Sequence, residues 1–205
     1  MTNPLKNKLL LLFLIIFSNS FSQTDSTRII KVVFLYGSKP FRKYKSTEPK
    51  SFGGIHGGHV TLQLDDIDYG FEPASNHVHV VTRKARNSDF VARSLNGNMR
   101  YSSESKTVTF FIPIIETQYE NLTVLLKSYS DTTPYDYAFF GMRCASTIQD
   151  VLGQIGVVQK KRRLSTILTT FYPKKLRKRL FRLAKEKNYD VVKTTGKLER
   201  KWEKD

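Results

Sequence analysis

Apolar and polar positions change rhythm along this chain, and each change of rhythm predicts an element. "RIIKVVFLYG" (28–37) is a continuous β-branched run closed by Gly37, the pattern of a buried strand. "HVTLQL" (59–64) alternates, "DDID" turns, and "YGFEP" (69–73) returns, which predicts a hairpin. "HVHVVT" (77–82) and "TVTFFIPII" (107–115) predict two further strands, with Pro113 marking an edge or an end. Residues 38–58 are polar and rich in Gly, Pro and Lys and predict a long loop, while 83–106 carry no periodic signal.

The period then lengthens to that of a helix. Tyr119, Leu122, Leu125, Leu126 and Tyr129 form one stripe, with Thr117 and Glu120 spaced as a capping box. In "ASTIQDVLGQIG" (145–156), Ile148, Val151, Leu152 and Ile155 share a face and Gly156 closes the helix. Pro173 opens a third helix, "PKKLRKRLFRLAKEK", where proline is favoured, and "YDVVK" (189–193) predicts a last strand. No repeat or linker divides the chain. The expected fold is a single α+β domain, a small antiparallel sheet packed with helices.

The N-terminus reads differently. Lys6 and Lys8 precede nine apolar residues, Leu9–Phe17, and then the small polar stretch "SNSFS". A bilayer span needs about 20 apolar residues, so this is the pattern of a secretory signal peptide over residues 1–22. The domain is then 23–205, and the expected location is periplasmic or secreted. Charge is uneven: residues 160–205 hold 17 Lys/Arg against 5 Asp/Glu, net +12 of the chain's +16. This predicts a basic helical extension from about residue 160, with Arg177, Lys178, Arg179 and Arg182 facing an anionic membrane or wall polymer, the alternative being a solvated face that only aids solubility. Nucleic acid is not an expected partner of an exported protein.

Cys144 is the only cysteine. An exported chain with one thiol cannot close an internal disulfide, so the thiol is either a small buried hydrophobe or a functional group. At the first turn of a helix, beside Arg143, a thiolate is favoured by the helix dipole and the neighbouring cation. A thiol nucleophile needs a base, and the base a group that orients it. The four histidines are His56, His59, His77 and His79. His59 begins a strand directly after Gly57 and Gly58, which permit close approach of another group. The returning hairpin strand brings Glu72 back to the His59 end, and Gln63 on the same strand is the alternative orienter. Tyr137 and Tyr135, just before the cysteine, are candidates to meet the substrate or simply to pack.

"GGHVTLQLDDIDYGFEP" followed about 70 residues later by "YDYAFFGMRCASTIQDVL" resembles the circularly permuted branch of the NlpC-type papain-like cysteine hydrolases. That branch includes lecithin:retinol acyltransferase-like enzymes and bacterial periplasmic families. The resemblance spans about residues 29–156. It implies a permuted papain-like fold, His59 as base, Glu72 near the third position and Cys144 as nucleophile, with no cofactor or metal. The chain departs from the pattern at Arg143, where asparagine is common, and in the spacing from His59 to Glu72. The implied activity is hydrolysis or transfer at an amide or ester bond of a cell-envelope substrate.

Two other classes compete. Four imidazoles in residues 56–79 suggest a zinc site, although their spacing matches no common zinc pattern. The basic stretch 173–187, with Leu176, Leu180, Leu183 and Ala184 as its apolar stripe, suggests a non-catalytic envelope-binding module, and the same pattern also fits a surface helix packed on the domain.

Overall fold

The computed structural model describes residues 27–48, 58–75, 77–95 and 104–205. The signal-peptide reading of residues 1–22, and His56, lie outside them. No helix among the described residues is long and apolar enough to cross a membrane.

β1 (Thr27–Leu35) runs through the middle of a six-stranded sheet. On one side lie β3 (His59–Leu64), β4 (Ile67–Glu72) and β6 (Asp89–Ser94). On the other lie β7 (Thr107–Ile115) and β9 (Asp190–Lys193). The order is β6-β4-β3-β1-β7-β9, and every neighbouring pair is antiparallel. Two small ribbons complete the strands: β2 (Ser38–Pro40) with β10 (Arg200–Trp202), and the parallel pair β5 (His79–Val81) with β8 (Ala138–Phe140). The fold is α+β.

Alternation decides which sheet face is covered. Val32, Phe34, Val60, Leu62, Phe71, Phe110 and Ile112 are fully buried. They share one core with Leu122 and Leu126 of α1 (Glu116–Asp131) and Ile148, Val151 and Leu152 of α2 (Cys144–Gln154). Burial of each such side chain contributes about 1.5–3 kcal/mol, so the long apolar runs govern where the helices settle. The short α3 (Arg163–Thr169) follows. Pro113 is tolerated within β7 because β9 pairs only with Val108–Phe111, leaving β7 a local edge beyond it.

Several expectations need correction. α1 starts at Glu116, and the amide of Ile115 donates to Gln118 Oε1 at 3.1 Å, so Thr117 and Glu120 do not form the cap. β7 runs into the helix without a linker, which moves the cap upstream of the polar residues that suggested it. The loop predicted over 38–58 contains β2, and the aperiodic stretch contains β6. Strand β6 sits at the sheet edge with only Phe90 buried, so it carries no alternation to read.

The largest correction concerns the basic C-terminal region, which is no extension. α4 (Pro173–Lys187) places Leu176, Leu180 and Ala184 in the core, β9 completes the sheet, and β10 pairs with β2. Arg177, expected on a binding surface, is fully buried. It falls on the inner face with Pro173, Leu176 and Leu180, and its guanidinium lies 3.8 Å from the centre of the Tyr36 ring. Its Nε donates to Asp205 at 3.0 Å, and Glu203 lies 3.3 Å from Nη2. A planar cation that stacks and pairs at once can be accommodated there, which a solvated face would not predict. Arg179 is half-buried and donates to the Gln149 side chain, whereas Lys178 and Arg182 are exposed.

Candidate functional site

His59 is the first residue of β3. The β3–β4 register pairs Thr61 with Gly70 and Gln63 with Asp68, which carries His59 opposite Glu72. The ring's Nε2 stands 3.7 Å from Glu72 Oε1, within reach of charge attraction though longer than a hydrogen bond. Glu72 is itself gripped by Arg93 of β6, whose two terminal nitrogens donate to its two oxygens at 3.0 and 2.9 Å. Such a bidentate fork fixes the plane of a carboxylate. Sequence reasoning missed Arg93. It lies in the stretch without periodicity, and only the β4–β6 register brings it to Glu72. Gln63, the alternative orienter, donates instead to Asp68 at 3.3 Å, farther along the hairpin.

Gly58 determines how the chain enters this strand. Its φ is +71°, and a Cβ built there would lie 2.0 Å from the carbonyl oxygen of Leu35, the residue paired with His59. Gly58→Ala therefore brings left-handed strain of about 1–2 kcal/mol and a backbone clash besides. We expect it to lower the melting temperature by at least about 5 °C, at roughly 2–4 °C per kcal/mol for a domain of this size. Thermal unfolding followed by circular dichroism checks this, and an unchanged midpoint would show that the β1–β3 approach is looser than drawn.

Cys144 is the first residue of α2. The helix starts here because Ser146 Oγ accepts the amide of Arg143 at 2.7 Å and donates back to the Arg143 carbonyl at 3.0 Å. The side chain is buried against β3. Burial pushes the thiol up from its ordinary pKa, although the amide of Val60, the Arg143 charge, the amide of Ala145 and the Tyr137 hydroxyl pull it down. The sequence predicted a lowered value from the helix start and Arg143. The difference arises because this helix starts inside the core, where desolvation of a thiolate outweighs the dipole. The thiol thus meets the backbone of Val60, the residue after His59.

The two tyrosines part company. Tyr137 packs its ring on Phe71, centroids 5.2 Å apart, and its hydroxyl interacts with the Cys144 thiol. Burial, and any negative charge on the adjacent Cys144 sulfur, push that phenol well above its usual range. Tyr135 faces elsewhere. Its hydroxyl donates to Asp150 at 2.7 Å and meets Tyr129 at 3.2 Å, so it joins α1 to α2 instead of facing the thiol.

A second histidine is also held. His79 Nδ1 lies 2.9 Å from Oδ2 of the buried Asp136, which also accepts the amides of Arg83 and Asn87, both at 2.8 Å. This pins the β5 segment beside the lead-in to Cys144. Among the described residues, no group of three or more His, Cys, Asp or Glu is arranged to hold a metal ion.

The thiol opens a helix and carries a phenol, and the imidazole that leads β3 faces a clamped carboxylate. No protein-family model, curated protein or solved structure matches this chain.

Proposed function

We propose that this protein is an exported cysteine hydrolase or acyltransferase that acts on an amide or ester bond of the cell envelope. The observation that carries this reading is the docking of the Cys144 thiol on β3 one residue past His59, whose Nε2 faces the Arg93-clamped Glu72. The resemblance of residues 29–156 to the permuted papain-like hydrolases supports the same roles.

Each step balances. His59 takes the thiol proton as sulfur bonds to the carbonyl carbon, so no standing thiolate is needed. The C=O pair moves to oxygen, where the Cys144 amide at the helix start and the Tyr137 hydroxyl are the donors at hand. Collapse breaks the C–N or C–O bond, and the leaving group takes the proton from His59. Water or an acceptor alcohol or amine, deprotonated by His59, then attacks the thioester, the C–S bond breaks, and His59 returns the proton to the Cys144 sulfur. Glu72 keeps the ring in one orientation and offsets its charge while it is protonated.

Brief exposure to p-nitrophenyl acetate, followed by acid quench and peptide mass mapping, tests this directly. One acetyl group is expected on Cys144, with release of nitrophenolate. Acetylation confined to lysines, at the same level in Cys144→Ala, would remove the nucleophile and the reading with it.

A further inference from the structure

The parallel ribbon β5–β8 exposes apolar side chains on both faces, since successive strand residues point to opposite sides. Val80 is 63% exposed, Val81 55%, Phe139 45% and Phe140 61%. The register sets Val81 beside Phe140. Phe171, from the segment between α3 and α4, extends the patch, its ring centre 5.5 Å from that of Phe139 and 6.5 Å from that of Phe140. Arg143 ties these pieces together. Its guanidinium lies 3.7 Å from the centre of the Phe171 ring, and it donates to the Phe171 carbonyl. On α3, Leu164 and Leu168 share the outward face at 69% and 72% exposure, the latter three residues before Phe171. A cluster of exposed aromatic rings such as Phe139, Phe140 and Phe171 marks an interaction site.

Its surroundings say what kind. The stretches that carry these side chains, residues 77–88, 137–143 and 162–171, contain no Asp or Glu, and of the neighbouring carboxylates Asp136 is buried and Asp150 accepts from Tyr135. The same stretches present Arg83, Lys84 and Arg86 after β5, and Arg162 and Arg163 at the head of α3, all exposed. Apolar side chains that penetrate, rimmed by cations with no carboxylate among them, match an anionic lipid surface. A second copy fits poorly, since it would set two such cationic faces together. A hydrophilic wall polymer would use the cations and leave the phenylalanines in water.

We propose that the β5–β8 ribbon and Phe171 form a docking face that inserts into an anionic lipid bilayer. The face is centred on Phe139 and Phe140, not on the α4 stripe, whose Leu176 and Leu180 are spent in the core. Nothing in this docking depends on the thiol chemistry proposed above.

The test is position-specific, so that any contribution from the apolar N-terminal run does not obscure it. Trp202 is the only native tryptophan, and Phe140→Trp adds one at an exposed site. The full chain is mixed with phosphatidylcholine vesicles with and without phosphatidylglycerol, each also made with bromine-labelled acyl chains. We expect bromolipid quenching of the residue-140 signal on anionic vesicles and none of the Trp202 signal in the parent. Arg162→Gln with Arg163→Gln should weaken that quenching, as should raised salt. Phe139→Ser with Phe140→Ser should lower anionic-vesicle affinity at least about tenfold, because two exposed rings lose their burial in lipid. An unquenched residue 140 on vesicle-bound protein would overturn the proposal, as would equal quenching on neutral lipid. A dimer in sedimentation equilibrium that the double serine variant dissolves would give the face to a second copy, and the proposal would fall.

Discussion

Cys144→Ala should reduce turnover of an activated acyl ester to the uncatalysed background, and His59→Ala should come close to it. A positioned general base contributes about 10²–10⁴-fold, so kcat/KM in His59→Ala is expected to fall by that amount while the fold melts as before. The two residues act on one proton and one bond, so their losses should not multiply. The double variant should be no slower than Cys144→Ala alone. Glu72→Gln keeps the shape of the side chain but removes the charge facing His59 and loosens the Arg93 fork. A smaller loss, about tenfold and mainly in kcat, is expected there. Steady-state kinetics of the four variants on one substrate decide the matter. If His59→Ala retains parental kcat/KM, the histidine is not the base and the proposed mechanism fails.

Asp136→Ala should be among the most destabilising single changes in the domain. The carboxylate is buried and accepts two backbone amides and the His79 ring, all within 2.9 Å. Removing it leaves three donors without their shared acceptor, at a cost of about 3–5 kcal/mol by analogy with breaking a buried charged network. Burial raises the Asp136 pKa, but the Asn87 amide, the His79 ring and the Arg83 amide outweigh it, and the net shift is downward. The sign of the pH dependence follows. A carboxylate whose folded pKa is depressed contributes stability above its unfolded value of about 3.9, and that contribution is lost as pH falls through the lower folded value. Urea unfolding from pH 7 down to pH 3 should show the parent losing stability below about pH 4. Asp136→Asn, which cannot titrate, should lose less over the same interval. Parallel curves would assign the acid sensitivity to other carboxylates, of which Asp205, also depressed by Tyr36 and Arg177 against its burial, is the first to examine.

Much of the fold was legible because local physics agrees with it. The strands 59–64 and 107–115 and the helix from Pro173 have the bounds read from the sequence, since alternation, β-branching and a proline at the first helical position are local signals. Cys144 at a helix start and Glu72 opposite His59 were likewise within reach, because a tight hairpin leaves few registers. What remained hidden depends on who the neighbour is. Arg93 reads as one more polar residue until β6 pairs with β4. Asp136 looks like part of an aromatic lead-in until the amides of Arg83 and Asn87 fold onto it. Arg177 counts toward a basic surface until α4 turns it inward over Tyr36. Composition supplies the charge, but burial assigns it to core or surface, and burial is a property of the packed chain. The acidity of Cys144 illustrates the same division. By itself the sequence determined that the thiol opens a helix beside an arginine, which favours the thiolate. Only the tertiary structure decided that this helix starts inside the core, where removing water from the sulfur costs more than the dipole and the arginine return.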